Sequence, residues 1–164
     1  MNLTPAVEQF FSTFVIAQGI EPPDITIVQF GDSAALADEL VGLVLAGDKR
    51  ATASLMSAYT KQHRTLPKSG DLGVVVDGKR APRCVIRTVE VEIKPLRAVD
   101  ERFARDEGGG DRSLAWWRSA HFRYFKRQAA IEGFSFEETA ELVLERFEVV
   151  WPPEFADVHL RAKH

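Results

Sequence analysis

The segment from Gly47 to Ser54 constrains the fold most, because the sequence pattern changes there from helical to extended. Between positions 36 and 44 apolar residues recur at helical spacing, and a following glycine is typical of a helix end. A helix-to-strand corner of this kind can bring the amine of Lys49 close to the hydroxyl of Thr52. An amine base beside a hydroxyl is an arrangement that supports nucleophilic chemistry.

The rest of the chain also alternates between helical and extended patterns. Asp77-Gly78 separates two strand-like runs and favours a hairpin. This order predicts an α+β domain or a small β-barrel flanked by helices. Helices are predicted from Thr4-Pro5 to Gly19, from Asp32 or Ser33 to Gly47, over Val99–Arg105 and from Ser113 to about Ala130. Strands are predicted at 25–30, from Arg50, at 72–76, at 83–93 and at 142–151.

Composition places the chain among soluble, single-domain proteins of a reducing compartment. It has 164 residues, one cysteine (Cys84) and no apolar run near the roughly 20 residues needed to span a bilayer. We therefore expect a cytoplasmic protein with no membrane contact, either a monomer or a homodimer. The histidines and the cysteine show no metal-ligand spacing, so no resident metal or cofactor is predicted.

Charge is segregated along the chain behind a net charge of −3. Residues 1–48 carry seven acidic residues and no lysine or arginine, whereas residues 49–127 carry 18 basic and nine acidic residues. A basic middle segment can attract an anionic partner such as RNA. Alternatively, the basic and acidic segments face each other in the fold, and their charges cancel.

Six segments carry a family resemblance: Phe30–Ser33, Gly47–Leu55, Leu66–Asp71, Pro82–Ile86, Glu107–His121 and Glu145–Val150. These segments resemble the ASCH domain family of the PUA-like superfamily, in its longer bacterial subgroup. The resemblance covers roughly residues 26–152 and implies a PUA-like small β-barrel flanked by helices. It divides the chain into an N-terminal helix and linker (1–24), the ASCH domain (25–152) and a C-terminal tail (153–164).

The resemblance also implies a link to RNA and a choice of activities. Some members resemble amidohydrolases acting on N4-acetylcytidine, which use a Lys-x-x-Thr pair and a glutamate. Lys49 and Thr52 match the pair, but the glutamate is expected on the strand after the hairpin, where this chain has Arg87. This departure favours a ribonuclease, in which Lys49 promotes attack by the ribose 2′-hydroxyl and Arg87 holds the phosphate. The alternatives are the amidohydrolase, a non-catalytic RNA-binding module, and a protein-interaction or small-metabolite role.

Arg87 interrupts an apolar strand face formed by Val85, Val89, Val91 and Ile93. An arginine on such a face needs an anionic partner or an opening to water. It can contact a ligand phosphate in a cleft, or it can form an internal ion pair, for example with Glu145.

The long helix near residue 120 has two different faces. Trp117 and His121 lie on a core-like face, where His121 is either a hydrogen-bonded structural residue or a catalytic one. Trp116 lies among arginines on the other face, which suits base stacking, a solvated surface or a dimer contact. The loop 107–113 is either a lid or a ligand contact through Asp111 and Arg112, and its carboxylates can hold Mg²⁺ in the ribonuclease hypothesis.

Together these residues predict a cleft around Lys49, Thr52 and Arg87 that binds RNA or a modified nucleoside. Lys49 and Thr52 are the predicted catalytic residues. The predicted substrate contacts are Arg50, Ser54, Arg87, Asp111, Arg112, Trp117 and His121. No cofactor is expected apart from a divalent metal in the ribonuclease reaction.

Overall fold

The computed structural model describes residues 3–157, which form five α-helices, a short 3₁₀ helix (Leu96–Ala98) and five strands. The helices are α1 (Pro5–Gln18), α2 (Ala34–Ala46), α3 (Met56–Lys61), α4 (Glu101–Glu107) and α5 (Leu114–Glu132). The strands are β1 (Ile25–Val28), β2 (Ala51–Leu55), β3 (Leu72–Val76), β4 (Pro82–Pro95) and β5 (Glu141–Trp151). In this part of the chain no helix is both long and apolar enough to cross a membrane.

The five strands form one mixed sheet in the order β1-β3-β4-β5-β2. β1 runs parallel to β3, and the other neighbours are antiparallel. The predicted α+β class is confirmed. The predicted barrel is not, because β1 and β2 each pair with a single neighbour and leave the sheet open.

Side-chain caps set the helix boundaries largely as the sequence predicts. The Thr4 hydroxyl accepts a hydrogen bond from the Val7 N–H at the start of α1, and Ser33 and Ser113 cap α2 and α5 in the same way. Gly47 ends α2 in the left-handed conformation that glycine adopts without strain. The chain therefore leaves α2 and enters β2 through the tight corner predicted around Lys49.

Two helices differ from the sequence prediction. α3 follows β2 directly and was not predicted, since no side chain caps its first turn. α4 lies two residues later than expected, because Asp100 accepts a hydrogen bond from the Phe103 N–H and Gly108 closes the other end. As a result Glu107 is the last residue of a helix and not the first residue of a mobile loop.

The predicted apolar face of β4 is wrong. The pairing of β4 with β5 shifts register between Thr88 and Glu90, so the simple alternation of sides ends there. Val89 is 50% exposed and Ile93 is 42% exposed, whereas Thr88 is buried. Arg87 therefore does not interrupt a buried apolar face.

Two layers of helices cover the sheet. α4 and α5 pack on one side, where Phe103, Trp117 and Phe125 share a core with Ala51 and Leu55 of β2. α1 and α2 cover two further clusters, which contain Val74, Val76 and Val85 under α1 and Phe30, Phe147 and Val149 under α2. The next residue of β3, Val75, belongs to the α2 cluster, so α1 and α2 lie on opposite faces of the sheet. The Lys49 corner lies at the β2 edge.

The C-terminal tail is anchored where it begins. Asp157 forms an ion pair of 2.7 Å with Arg50, and one of its oxygens also accepts from the Val149 N–H at 3.2 Å. The predicted loose tail begins at 153, so its first part is packed, and residues 158–164 lie outside the described residues.

Candidate functional site

Lys49 is a buried cation at the free edge of the sheet. Its side chain is 3% exposed, and Nζ donates a hydrogen bond of 2.7 Å to the Ala51 carbonyl. The Phe147 N–H donates to the Arg50 carbonyl, so alternation leaves the Ala51 carbonyl on the side of β2 that has no partner strand. Burial lowers the pKa of Lys49, and the nearby Glu107 carboxylate opposes this only in part.

Glu107 is the buried carboxylate that faces Lys49. It is 5% exposed, and Oε2 lies 2.7 Å from Nε2 of His121. Burial alone raises its pKa, but the charges of Lys49 and His121 and the hydrogen bond with His121 outweigh burial and lower it. The Trp117 indole N–H lies near the carboxylate and also lowers this pKa, and within residues 3–157 neither this N–H nor Oε1 has another hydrogen-bond partner.

His121 connects Glu107 to α5. Its Nδ1 lies 2.9 Å from the Trp117 carbonyl, which can only accept, so Nδ1 carries a hydrogen. Nε2 faces the Glu107 carboxylate, so the ring bridges this carboxylate and the Trp117 carbonyl. The ring also stacks on Trp117 at 4.2 Å between centroids, which fixes its orientation.

Thr52 lies one residue beyond the carbonyl that Lys49 holds. It pairs with Glu145 across the strands, so the two side chains share a face of the sheet. Phe147 is on that face as well, and it stacks at 5.9 Å on Phe30, whose ring centroid is 5.0 Å from the Lys49 amine. The amine and the Thr52 side chain therefore approach the β2 edge from the same side.

The family model of the ASCH domain matches residues 26–151, which is most of the chain. The chain belongs to the ASCH domain family. This family is thought to bind RNA.

Two solved structures support the assignment. An ASCH domain from Lactobacillus crispatus JV V101 is 34% identical, with 90% of this chain and 92% of that chain covered and a TM-score of 0.79. A protein from Enterococcus faecalis V583 is 35% identical, with 88% of each chain covered and a TM-score of 0.83. No curated protein matches the chain.

In this ASCH domain two of the three predicted arginines, Arg50 and Arg87, form ion pairs with carboxylates of the protein. Arg50 binds the Asp157 carboxylate and donates to the carbonyls of Val44 and Lys49, so its guanidinium holds the corner and the tail together. Arg87 forms an ion pair of 3.0 Å with Glu148, with 46% of its side chain exposed.

The structure does not place Arg87 beside Thr52. Arg87 pairs with Glu148 on β5, whereas Thr52 pairs with Glu145, three residues away on the same strand. Residues an odd number apart on a regular strand point to opposite faces. Arg87 and Thr52 therefore lie on opposite faces of the sheet.

The remaining predicted residues fall into two groups. Trp117 and His121 lie beside Glu107, in the same buried region as Lys49. Ser54 is on the same face of the sheet as Thr52, where its hydroxyl is 3.0 Å from that of Tyr59. Asp111 and Arg112 shape the loop after α4: Asp111 accepts from the Ser113 N–H at 2.9 Å, and Arg112 donates to the Arg105 carbonyl at 3.2 Å. Both residues are exposed on the loop that follows Glu107.

Sequence reasoning missed Glu107 as a site residue. The signal was the pair of capping residues, Asp100 and Gly108, which predicts a helix that ends at Glu107. Within residues 3–157 no group of three or more histidine, cysteine, aspartate or glutamate side chains is arranged to hold a metal ion.

Proposed function

We propose that this ASCH domain is a hydrolase of an acylated, nucleoside-like ligand, with Lys49 as the base and Thr52 as the nucleophile. The observation that carries the proposal is that buried Lys49 and buried Glu107 lie near enough to interact through their charges, on backbone segments that pack directly on each other at Asp48 and Gly108. The resemblance to amidohydrolases calls for a lysine, a threonine and a glutamate, and this chain has Arg87 at the expected position of the glutamate. Glu107 supplies a carboxylate next to Lys49 from another element.

Burial of the cluster favours a small reacting group over a polymer backbone. Lys49 and Glu107 are 3% and 5% exposed, so a substrate reaches them only after the loop that follows Glu107 moves. The indole of Trp116 covers Gly109 and Gly110 in this loop. An acyl group that projects from a nucleobase is compact enough to enter a site behind such a loop.

The reaction has two stages. Neutral Lys49 takes the Thr52 hydroxyl proton as the oxygen attacks the acyl carbon, and the C–N bond then breaks with a proton passing to the leaving nitrogen. Water hydrolyses the resulting threonine ester and releases the carboxylic acid. Desolvation supports this role because it increases the fraction of Lys49 that is neutral. Ionised Glu107, held by His121, orients the Lys49 amine.

The ribonuclease hypothesis uses Lys49 without Thr52, since the ribose 2′-hydroxyl is then the nucleophile. The two activities are separated by incubating N4-acetylcytidine and a short single-stranded RNA, with Mg²⁺ or EDTA, with wild type, Lys49→Met, Thr52→Val and Glu107→Gln. Mass spectrometry detects the products. Lys79→Met, at an exposed lysine, is the matched control.

We expect deacetylation by wild type and the control, and a loss of at least about 100-fold in Lys49→Met and Thr52→Val. RNA cleavage that persists in Thr52→Val and disappears in Lys49→Met would replace the proposal with the ribonuclease. RNA binding without turnover of either compound would leave a non-catalytic RNA-binding module.

A further inference from the structure

Glu145 is a partly buried carboxyl beside Thr52 that the proposed reaction does not use. The two residues are cross-strand partners, and the ladder places them in a hydrogen-bonded pair with Cα atoms about 5.5 Å apart. Ser54 and the Tyr59 hydroxyl continue the same polar surface away from Lys49. A ligand held against Thr52 therefore meets the Glu145 carboxyl.

The groups around Glu145 leave its carboxyl without a partner. Asp71, before β3, repels its negative charge and is itself engaged by Lys68 at 2.8 Å. Arg64, after α3, offsets this repulsion in part, but no ion pair or hydrogen bond to Glu145 is found within residues 3–157. Desolvation, with Asp71, raises the pKa of Glu145 to about 7.

A carboxyl group of this kind differs from an ordinary surface glutamate in what it can bind. When protonated it presents a donor next to an acceptor, and when ionised it presents two acceptors. The edge of cytosine offers a ring-nitrogen acceptor next to an amino donor, whereas the corresponding edge of guanine offers two neighbouring donors. The protonated form therefore matches cytosine, and the ionised form matches guanine.

We propose that Glu145 recognises the nucleobase of the ligand in its protonated form and selects a base with a cytosine-like edge. This inference rests on the proposed function, since it places the base on the Thr52 face with its acyl group directed at the reacting residues. It assigns Glu145 a role in ligand specificity that is separate from the chemistry of Lys49.

The test measures the binding of cytidine and guanosine, which carry no acyl group and so are not turned over. Calorimetry at about pH 6 and about pH 8 compares wild type with Glu145→Gln, whose amide also offers a donor and an acceptor. Glu148→Gln is the matched control, because Glu148 lies on the same strand, on the opposite face, and is paired with Arg87. Thermal unfolding of each variant checks that it is folded.

We expect wild-type affinity for cytidine to fall about tenfold from pH 6 to pH 8 as Glu145 loses its proton. Glu145→Gln should bind cytidine at both pH values with the affinity of wild type at the lower pH, and Glu148→Gln should behave as wild type. Guanosine binding should change in the opposite direction. Chemical shifts of the wild-type Glu145 carboxyl, followed by NMR on addition of cytidine, test the contact without any variant.

Equal cytidine affinity at both pH values, a pH effect that persists in Glu145→Gln, or no nucleoside binding would overturn the inference. These results are distinguishable from failure of the proposed function. Deacetylation that depends on Lys49 and Thr52 but shows no base selection contradicts only the proposed role of Glu145. Base selection through Glu145 without turnover contradicts only the proposed hydrolase activity.

Discussion

Gly108 lies so close to Asp48 that a Cβ atom on the glycine would be 2.6 Å from the Asp48 carbonyl oxygen. The residue after Glu107 thus packs directly on the residue before Lys49. The backbone of α4 and the corner of β2 meet here, and the Asp106 carbonyl also accepts a hydrogen bond from the Arg50 N–H. Lys49 and Glu107 are therefore held near each other by backbone packing as well as by charge.

Gly108→Ala tests this packing, with Gly133→Ala as its matched control. Both glycines end helices with positive φ, at 81° and 85°, but no atom lies within 4 Å of a Cβ at Gly133. We expect Gly133→Ala to cost about 1 kcal/mol from backbone strain and Gly108→Ala about 2–4 kcal/mol, since it adds a steric clash. Urea denaturation measures both, and equal losses would refute close packing at Asp48.

The Lys49–Glu107 pair should show strong energetic coupling. Replacing Glu107 by Gln leaves the Lys49 amine buried without its carboxylate, and we expect a loss of about 2–4 kcal/mol in unfolding free energy. Adding Lys49→Met to this variant should recover part of the loss, because it removes the unpaired amine. A double-mutant cycle measured by denaturation at neutral pH gives the coupling, and additive losses would mean that the groups do not interact.

Glu145 should make the stability of the protein pH-dependent. Its pKa is raised from 4.5 to about 7, so the folded state binds more protons than the unfolded state in this window. Unfolding free energy should therefore fall as pH rises from 4.5 to 7, by up to about 3 kcal/mol.

Glu145→Gln removes this titration, so it should gain stability relative to wild type at about pH 8 but not at about pH 4. Denaturation curves at both pH values measure the difference. A stability difference between the two proteins that does not change with pH would contradict the raised pKa.

We expect Arg50 to stabilise the fold and not to contact the substrate. Its ion pair with Asp157 is partly buried, with the two side chains 19% and 14% exposed. Asp157→Asn should lower unfolding free energy by about 1–2 kcal/mol and leave base selection and substrate affinity unchanged. If this variant instead lost ligand affinity with no loss of stability, the predicted substrate contact of Arg50 would be restored.

The sequence predicted elements whose signals are local. Thr4, Ser33 and Ser113 cap their helices by short-range hydrogen bonds, and Asp77-Gly78 begins the turn between β3 and β4. The corner at Lys49 follows from Gly47 in the same way. Such signals need no knowledge of tertiary packing.

Features that depend on contacts between distant parts of the chain could not be predicted from such local signals. The bulge after Thr88 depends on the pairing of β4 with β5, so the side on which Arg87 lies could not be obtained by counting alternate residues. Glu107 meets Lys49 across 58 positions of sequence, and that contact depends on the packing of α4 against β2. The predicted roles of Asp111 and Arg112 as ligand contacts stay predictions.

The hydrogen bond from Lys49 to Ala51 also bears on how the edge of the sheet is completed. β2 is an edge strand, and a carbonyl on its unpaired side needs a donor from outside the sheet. Ala51 and Lys49 are 0% and 3% exposed, so the Lys49 amine satisfies this carbonyl where neither water nor another chain reaches it. A chain that lost its activity would therefore still need a donor at position 49, because a buried carbonyl without a partner costs about 1–3 kcal/mol.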